Sequence, residues 1–413
     1  MQFFGHSHKV AEMMQVKCHI ASILIQRPLI FEVLLFVATF FDKQRAVFCR
    51  LTKVARNLTM KLPAFASAMG LATTLCNPAS AEILRQDFRV TAAPGIEIAV
   101  REVRETRVEA NKPPVILLHG ARVPGIASFD LPVEGGSLAA DLARAGHLVF
   151  VMDASGYGAS SRPGQDGDNK GLPLSSSFEV VRDILAVNDS VTFRTGARQI
   201  ALLGWATGGH WAGMYASLYP GRVSHLVMLN SLYGATSGHP ALGSTGENAD
   251  PSDRSRFNVD KFGAFRLNTA ASLMSAWDRS IPIDDKSIWR DPTVAAAYQE
   301  AALASDPTSS SRTPPAFRAP SGAMEDSFYL ANGRQLWDAA SITARVLIIR
   351  SENDFWSRPA DATSLAERLV RARDVQSVTI PEATHFVHLD RGDKGRNLFL
   401  AEVERFLSTT APQ

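Results

Sequence analysis

The chain has 413 residues, of which 46% are hydrophobic and 20% charged, with a formal net charge of +2 at pH 7. That composition supplies ample material for a globular core. The near-neutral balance excludes the general basic field of a nucleic-acid-binding protein.

At the N-terminal side, Met60-Lys61 precedes the uncharged, mostly apolar stretch Leu62–Leu75, which runs into Cys76-Asn77-Pro78-Ala79-Ser80-Ala81. A short basic region, an apolar region and an Ala-x-Ala site predict a signal peptide over 60–81, cut after Ala81, and a periplasmic or secreted mature chain. The other reading is a hydrophobic helix capping the domain. The stretch is too short to span a bilayer. Residues 1–59 are basic, with an apolar patch from Leu29 to Phe41 interrupted by Glu32. They read as a non-structural upstream extension with translation starting at Met60, or else as a long basic region or a second membrane-associated segment. Residues 1–81 carry nine of the 43 Lys/Arg and three of the 41 Asp/Glu, so the remainder has a formal net charge of −4. They also hold all three cysteines, Cys18, Cys49 and Cys76. A mature chain would therefore have no disulfide, thiolate metal site or cysteine nucleophile.

From Val115 onward, short apolar runs end in glycine-rich or polar loops, the pattern of buried parallel strands. Val115-Ile116-Leu117-Leu118 predicts a strand ending in His119-Gly120-Ala121-Arg122. His147–Asp153 predicts another, followed by the turn Ala154-Ser155-Gly156-Tyr157-Gly158-Ala159-Ser160. A helix is predicted over roughly Ser177–Thr195. The run Ile200–Leu203 leads into Gly204-Trp205-Ala206-Thr207-Gly208-Gly209, and His210–Ala216 reads as a helix. Further strands are predicted at Val223–Asn230, Arg345–Arg350 and Val375–Ile380. Between them, 235–340 is rich in Ser, Pro, Asp, Gly and Ala. Lys261–Trp277 and Thr293–Ala304 there read as helices, and Ser305–Gly322 as a loop.

Strand, sharp glycine turn, helix is the setting of a nucleophile elbow, whose pattern is Gly-x-Ser-x-Gly. Gly204 and Gly208 occupy the two glycine positions, and Ala206 stands where the serine would be. Such a pair alone also suits plain strand–helix packing. Taken with the His119-Gly120 loop, the Asp153-x-x-Gly156-x-Gly158 turn, Asp354 after a late strand and His385 after the last one, in that order, the chain resembles the α/β-hydrolase fold superfamily from about Val90 to Leu407. The order nucleophile, acid, base separates it from other triad folds. The resemblance implies an α/β fold with a mostly parallel central sheet flanked by helices. Its core would be 82–234 and 341–413, with a helical or loop cap at 235–340 inserted after the sixth strand.

The resemblance also implies roles. Ala206 holds the nucleophile position, His385 is the base and Asp354 the acid that orients it. His388 competes with His385 but is expected to pack at the start of the final helix. Glu352 competes with Asp354 but is expected to point to the surface. The backbone N–H groups of Ala121 and Thr207 would form the oxyanion hole. His119 and Asp153 would support loops, and His210 and His225 would pack. Arg122 either binds a substrate carboxylate or sulfonyl group or ties its loop down by a salt bridge. Trp205 and Trp356, with Phe355 and Phe386, either line a substrate pocket or pack in the core. No His-Glu-x-x-His, P-loop or complete dinucleotide fingerprint occurs, so neither metal nor cofactor is expected.

The implied activity is a carboxylic-ester hydrolase acting on a small molecule, with its serine position filled by alanine and little or no turnover as written. The alternatives are a natural ligand-binding pseudoenzyme on the same fold, or His–Asp chemistry that needs no serine. The resemblance leaves esterase, amidase and lactonase unseparated.

Overall fold

The computed structural model describes residues 82–106, 112–234 and 237–409. The expected upstream extension, signal peptide and cysteines lie outside the described residues. In chain order, the first half runs β1 (Ile83–Ala93), β2 (Ile96–Glu105), β3 (Val115–Leu118), α1 (Gly125–Phe129), α2 (Leu138–Arg144), β4 (Val149–Met152), α3 (Ser177–Thr195), β5 (Ile200–Trp205), α4 (Thr207–Leu218) and β6 (Val223–Leu229). Then come α5 (Val259–Phe262), β7 (Phe265–Thr269), α6 (Ala270–Asp278), α7 (Pro292–Ala304), β8 (Ala316–Pro320) and α8 (Gly322–Ala331). The chain closes with β9 (Arg345–Asn353), α9 (Pro359–Arg368), β10 (Asp374–Thr384) and α10 (Asn397–Leu407).

Eight strands form one sheet in the order β1-β2-β4-β3-β5-β6-β9-β10. Only the β1–β2 and β2–β4 pairings are antiparallel. The parallel strands β3, β4, β5 and β6 are buried along their whole length, because helices cover both faces of the sheet. Two apolar clusters result, one on each side. Leu117, Val151, Leu203 and Val227 belong to one, and Ile116, Phe150, Leu202 and Leu226 to the other. Alternate residues of each strand thus feed opposite layers. The chain leaves β3 for β4 on one side and returns to β5 on the other. The strand order therefore reverses at β3/β5, where parallel α/β sheets open a crevice at their C-terminal ends. The loop His119–Arg122 and the turn at Ala206 both begin there.

The helix α3 has the expected bounds, set by a Ser176/Glu179 capping box and by Gly196 at φ 73°. Three expectations need correction. The antiparallel pair β1–β2 precedes the core and was not foreseen, since Arg, Gln and Asp interleave its apolar residues and leave β1 half exposed. Lys261–Trp277 is no single helix: Gly263 at φ 57° ends α5, β7 follows, and Thr269 caps α6. Part of the expected loop Ser305–Gly322 is β8, which pairs antiparallel with β7. The segment between β6 and β9 thus carries a two-stranded ribbon as well as helices and loops.

The turn after β5 is fixed by contact between backbones. A Cβ on Gly204 would lie 2.2 Å from the Gly208 carbonyl oxygen, and one on Gly208 would lie 2.1 Å from that of Leu118. Ala206 is held between them at φ 54°, ψ −117°, a conformation that costs a residue with a Cβ about 1–3 kcal/mol. Gly208→Ala should therefore destabilise the fold by about 2 kcal/mol or more. Ala206→Gly should stabilise it by about 1 kcal/mol, the relieved strain outweighing the extra freedom of the unfolded chain. Urea unfolding of both variants measures this. A neutral Gly208→Ala or a strongly destabilised Ala206→Gly would contradict the geometry.

Candidate active site

Ala206 is the N-cap of α4, so its side chain leaves the sheet at the positive end of that helix. Its N–H donates to the Leu229 carbonyl at 2.8 Å, continuing the sheet into the turn. The next residue, Thr207, opens α4. Among the described residues, neither the Thr207 N–H nor the Ala121 N–H donates to another backbone group. Both residues border one cavity of about 470 Å³, together with Arg122, Trp205, Ala206 and His385. Two free N–H groups beside a shared cavity can receive a negatively charged oxygen.

Opposite them, His385 follows β10 and Asp354 follows β9. The imidazole Nδ1 lies 2.6 Å from Asp354 Oδ1. Asp354 also accepts the N–H groups of Trp356 at 3.0 Å and Ser357 at 2.8 Å, and the Ser357 hydroxyl. Burial works to raise this carboxyl, but the His385 imidazole and the Ser357 hydroxyl outweigh it and hold Asp354 below the ordinary aspartate value. The arrangement keeps a carboxylate on Nδ1 and turns the rest of the ring toward the cavity.

The loop bearing His385 is tied to the sheet at several points. Trp205 donates its indole N–H to the His385 carbonyl at 2.8 Å. The fully buried Asn230, at φ 50°, donates to the same carbonyl at 3.2 Å and to Ser351 Oγ at 3.0 Å, and accepts from the Ser351 N–H at 2.7 Å. Asn tolerates this left-handed conformation where most residues do not. Asp390 accepts from the Thr384 N–H at 2.9 Å, the Thr384 hydroxyl at 2.8 Å and the Trp277 indole at 2.9 Å. It fastens the residue before His385 to α6. Neither Asn230 nor Asp390 stands out in the sequence as part of a site. Both act through long-range hydrogen bonds that no local pattern announces.

The remaining candidates fall as follows. Glu352 is exposed and accepts from the Glu382 N–H. His388 is buried against Trp205, ring centroids 4.5 Å apart, and Phe129, nine residues before the last helix begins at Asn397. Burial, with the neighbouring His385 adding to it, keeps it neutral. His119 bridges Gly120 and Ala154, and Asp153 accepts from the Ala159 N–H at 3.0 Å. His210 joins Ser177 to Trp337, and His225 reaches Thr409. Trp356 and Phe355 border the cavity, as do Trp205 and Phe386. Thr207 Oγ1 is buried without a partner.

Arg122 has no carboxylate partner among the described residues, so the expected loop salt bridge is absent. Among the described residues it hydrogen-bonds the Ser272 carbonyl at 3.1 Å. Arg266 on β7 also borders the cavity and donates to the Ala121 carbonyl at 2.8 Å. Burial, reinforced by the charge of Arg122, pulls Arg266 down to about 9. Nothing in the sequence marks Arg266, because the apolar pattern of Lys261–Trp277 suits a helix and the residue lies on β7.

Residues 113–392 match the family model described as alpha/beta hydrolase fold. The curated relatives include 1-acylglycerol-3-phosphate O-acyltransferase ABHD5 of Homo sapiens, 30% identical over 125 residues, and that of Sus scrofa, 31% identical over 125 residues. Each match covers 29% of this chain and only 30% of the relative. Among solved structures, a proline iminopeptidase from Mycobacterium smegmatis is 20% identical with a TM-score of 0.49, covering 78% of this chain and 97% of that one. An enol-lactonase from Burkholderia xenovorans LB400 is 15% identical with a TM-score of 0.46, covering 78% and 100%.

Burial lifts the Asp390 carboxyl to about 6, against the hydrogen bonds from Thr384 and Trp277 that favour its charged form. The folded state therefore holds a proton between about pH 4 and 6 that the unfolded chain has lost. Stability from this group is full below pH 4 and falls as pH rises through 6. The span corresponds to about 3 kcal/mol. Urea unfolding from pH 4 to 7 should show the parent chain losing about that much relative to Asp390→Asn, and a constant difference would contradict the assignment.

Proposed function

Because the chain belongs to the alpha/beta hydrolase fold family, we propose that its cavity is an acyl-transfer site of the serine–histidine–aspartate type whose nucleophile position is filled by Ala206. The reading is a carboxylic-ester hydrolase with its attacking oxygen missing. One observation carries it: Asp354 and His385 are paired at 2.6 Å on the cavity that Ala206 borders from its strained turn.

With serine at 206, each group has a role. Oγ would attack the acyl carbon while His385 takes its proton through the ring nitrogen not bonded to Asp354. Asp354 would hold the tautomer and stabilise the imidazolium. The N–H groups of Thr207 and Ala121 would receive the oxyanion. His385 would then protonate the leaving alcohol, and water would release the acid. Hydrolysis and acyl transfer share the first half of this sequence and differ in the acceptor. The acyltransferase names of the relatives fit it equally. The helices and the β7–β8 ribbon between β6 and β9 would serve as the cap. The signal at 60–81 would send the chain across a membrane.

A second reading is favoured by the methyl group itself: a pocket with base, acid and oxyanion donors but no nucleophile can hold a ligand without consuming it.

Ala206→Ser separates the two. The serine variant should label with a fluorophosphonate and hydrolyse short aryl esters at least about 10³-fold faster than the parent chain, since triad members act as a unit. Folded serine protein that neither labels nor turns over would remove the hydrolytic reading and leave the ligand-binding one.

A further inference from the structure

Several other buried or half-buried arginines among the described residues meet a carboxylate or several carbonyls, although Arg162 Nε and Arg358 Nη1 are themselves buried without a partner. Arg318 forms two bonds to the Asp306 carboxylate, both at 2.8 Å, and Arg358 meets Asp361 at 2.7 Å. Arg162 lacks a carboxylate but is surrounded by carbonyl groups, among them those of Gly156, Gly158 and Ser305. The arginines of the cavity beside Ala206 have fewer partners than these. Arg122 has the single Ser272 carbonyl. Arg266 has the Ala121 carbonyl and the Met324 sulfur, and its Nε is buried with no partner. A third guanidinium, Arg279, lies 4.1 Å above the Phe355 ring and borders the same space. Among the described residues none of the three has a carboxylate within ion-pair distance. The one acidic side chain bordering the cavity, Glu247, is engaged by Lys261 at 2.7 Å.

Arg279 is exposed, but Arg122 and Arg266 are half-buried, and guanidinium groups drawn out of water without counter-charge are costly unless something supplies it. The rest of the wall is apolar, with Leu273, Ala276, Met324 and Phe386. From this we infer that the cavity binds an amphiphilic anion, an oxyanion head such as carboxylate or phosphate held by Arg122 and Arg266 with its apolar body against that wall. Planar guanidinium forks match such heads in two-point contacts. Arg122 follows the oxyanion residue Ala121 directly, and Arg266 is bonded to it. The head therefore sits beside the position where the proposed reaction would occur. As a substrate class this means an ester that carries a negative charge close to its acyl carbon. That last step rests on the hydrolytic reading, whereas anion binding does not.

The test uses the full chain, with no turnover required. Calorimetric titrations with octanoate, octyl phosphate and the neutral octanamide should show at least one anion binding ten-fold or more tighter than the amide. The advantage should shrink with salt. Which anion wins identifies the head group. Arg122→Gln and Arg266→Gln should each weaken the anion about 10- to 100-fold and leave the amide unchanged. Arg222→Gln, on the surface pair with Asp189, should change nothing. Should a variant not fold, phenylglyoxal labelling of the parent chain reads the same point, because the anion should protect Arg122 and Arg266 where the amide does not. Equal binding of amide and anions, unchanged anion affinity in both arginine variants, or no protection of Arg122 and Arg266 by the anion in the parent chain overturns the inference. If the Ala206→Ser protein is inert while anion selectivity persists, the hydrolytic reading alone has failed. Turnover without anion selectivity sinks only this one.

Discussion

The site depends on how closely two pieces of backbone pass. At the end of β5 the chain reverses into α4 with Gly208 against the carbonyls of Leu118 and His119, and with Gly204 against Gly208 itself. No side chain fits either gap. The contact brings the end of β3 and the start of α4 to one point, so the N–H groups of Ala121 and Thr207 can face a common space. It also forces Ala206 into a conformation that a free alanine would avoid. Tertiary packing bears this strain, and chemistry is not needed to maintain it.

A second layer of hydrogen bonds then positions His385. The His385 carbonyl accepts from both Trp205 and Asn230, so the histidine loop is tied to β5 and β6. Asp354 is held by Ser357 and by its own turn before it meets the imidazole. Ala206, Asp354 and His385 come from the ends of β5, β9 and β10, and each is referred to the sheet by a separate bond. Groups held in this way need no rearrangement to meet a ligand.

Those parts of the site that obey local rules could be read from the sequence. Glycine spacing at 204 and 208, apolar four-residue strands and the Asp and His that follow late strands are all short-range signals. α3 was equally clear, because its capping box and terminal glycine sit inside the helix signature. What escaped was written at long range. Lys261–Trp277 carries apolar residues that suit a helix or a strand, and only Gly263 and the pairing with β8 decide the outcome. Arg266 therefore had no assignable face. Asn230 and Asp390 matter through partners more than a hundred residues away, Ser351 and Trp277. Arg122 was visible, but the absence of a counter-ion is a property of the assembled fold and not of its neighbours in sequence.

The bond from Arg266 to the Ala121 carbonyl joins two parts of the molecule with different tasks. Ala121 belongs to the loop that follows β3, on the sheet. Arg266 belongs to the β7–β8 ribbon, which forms part of the wall around the cavity. The Ala121 carbonyl also accepts from the Tyr157 hydroxyl at 3.0 Å, so the loop is gripped from the sheet side and from the ribbon side at one atom, and a substitution in the ribbon reaches the loop without touching the sheet.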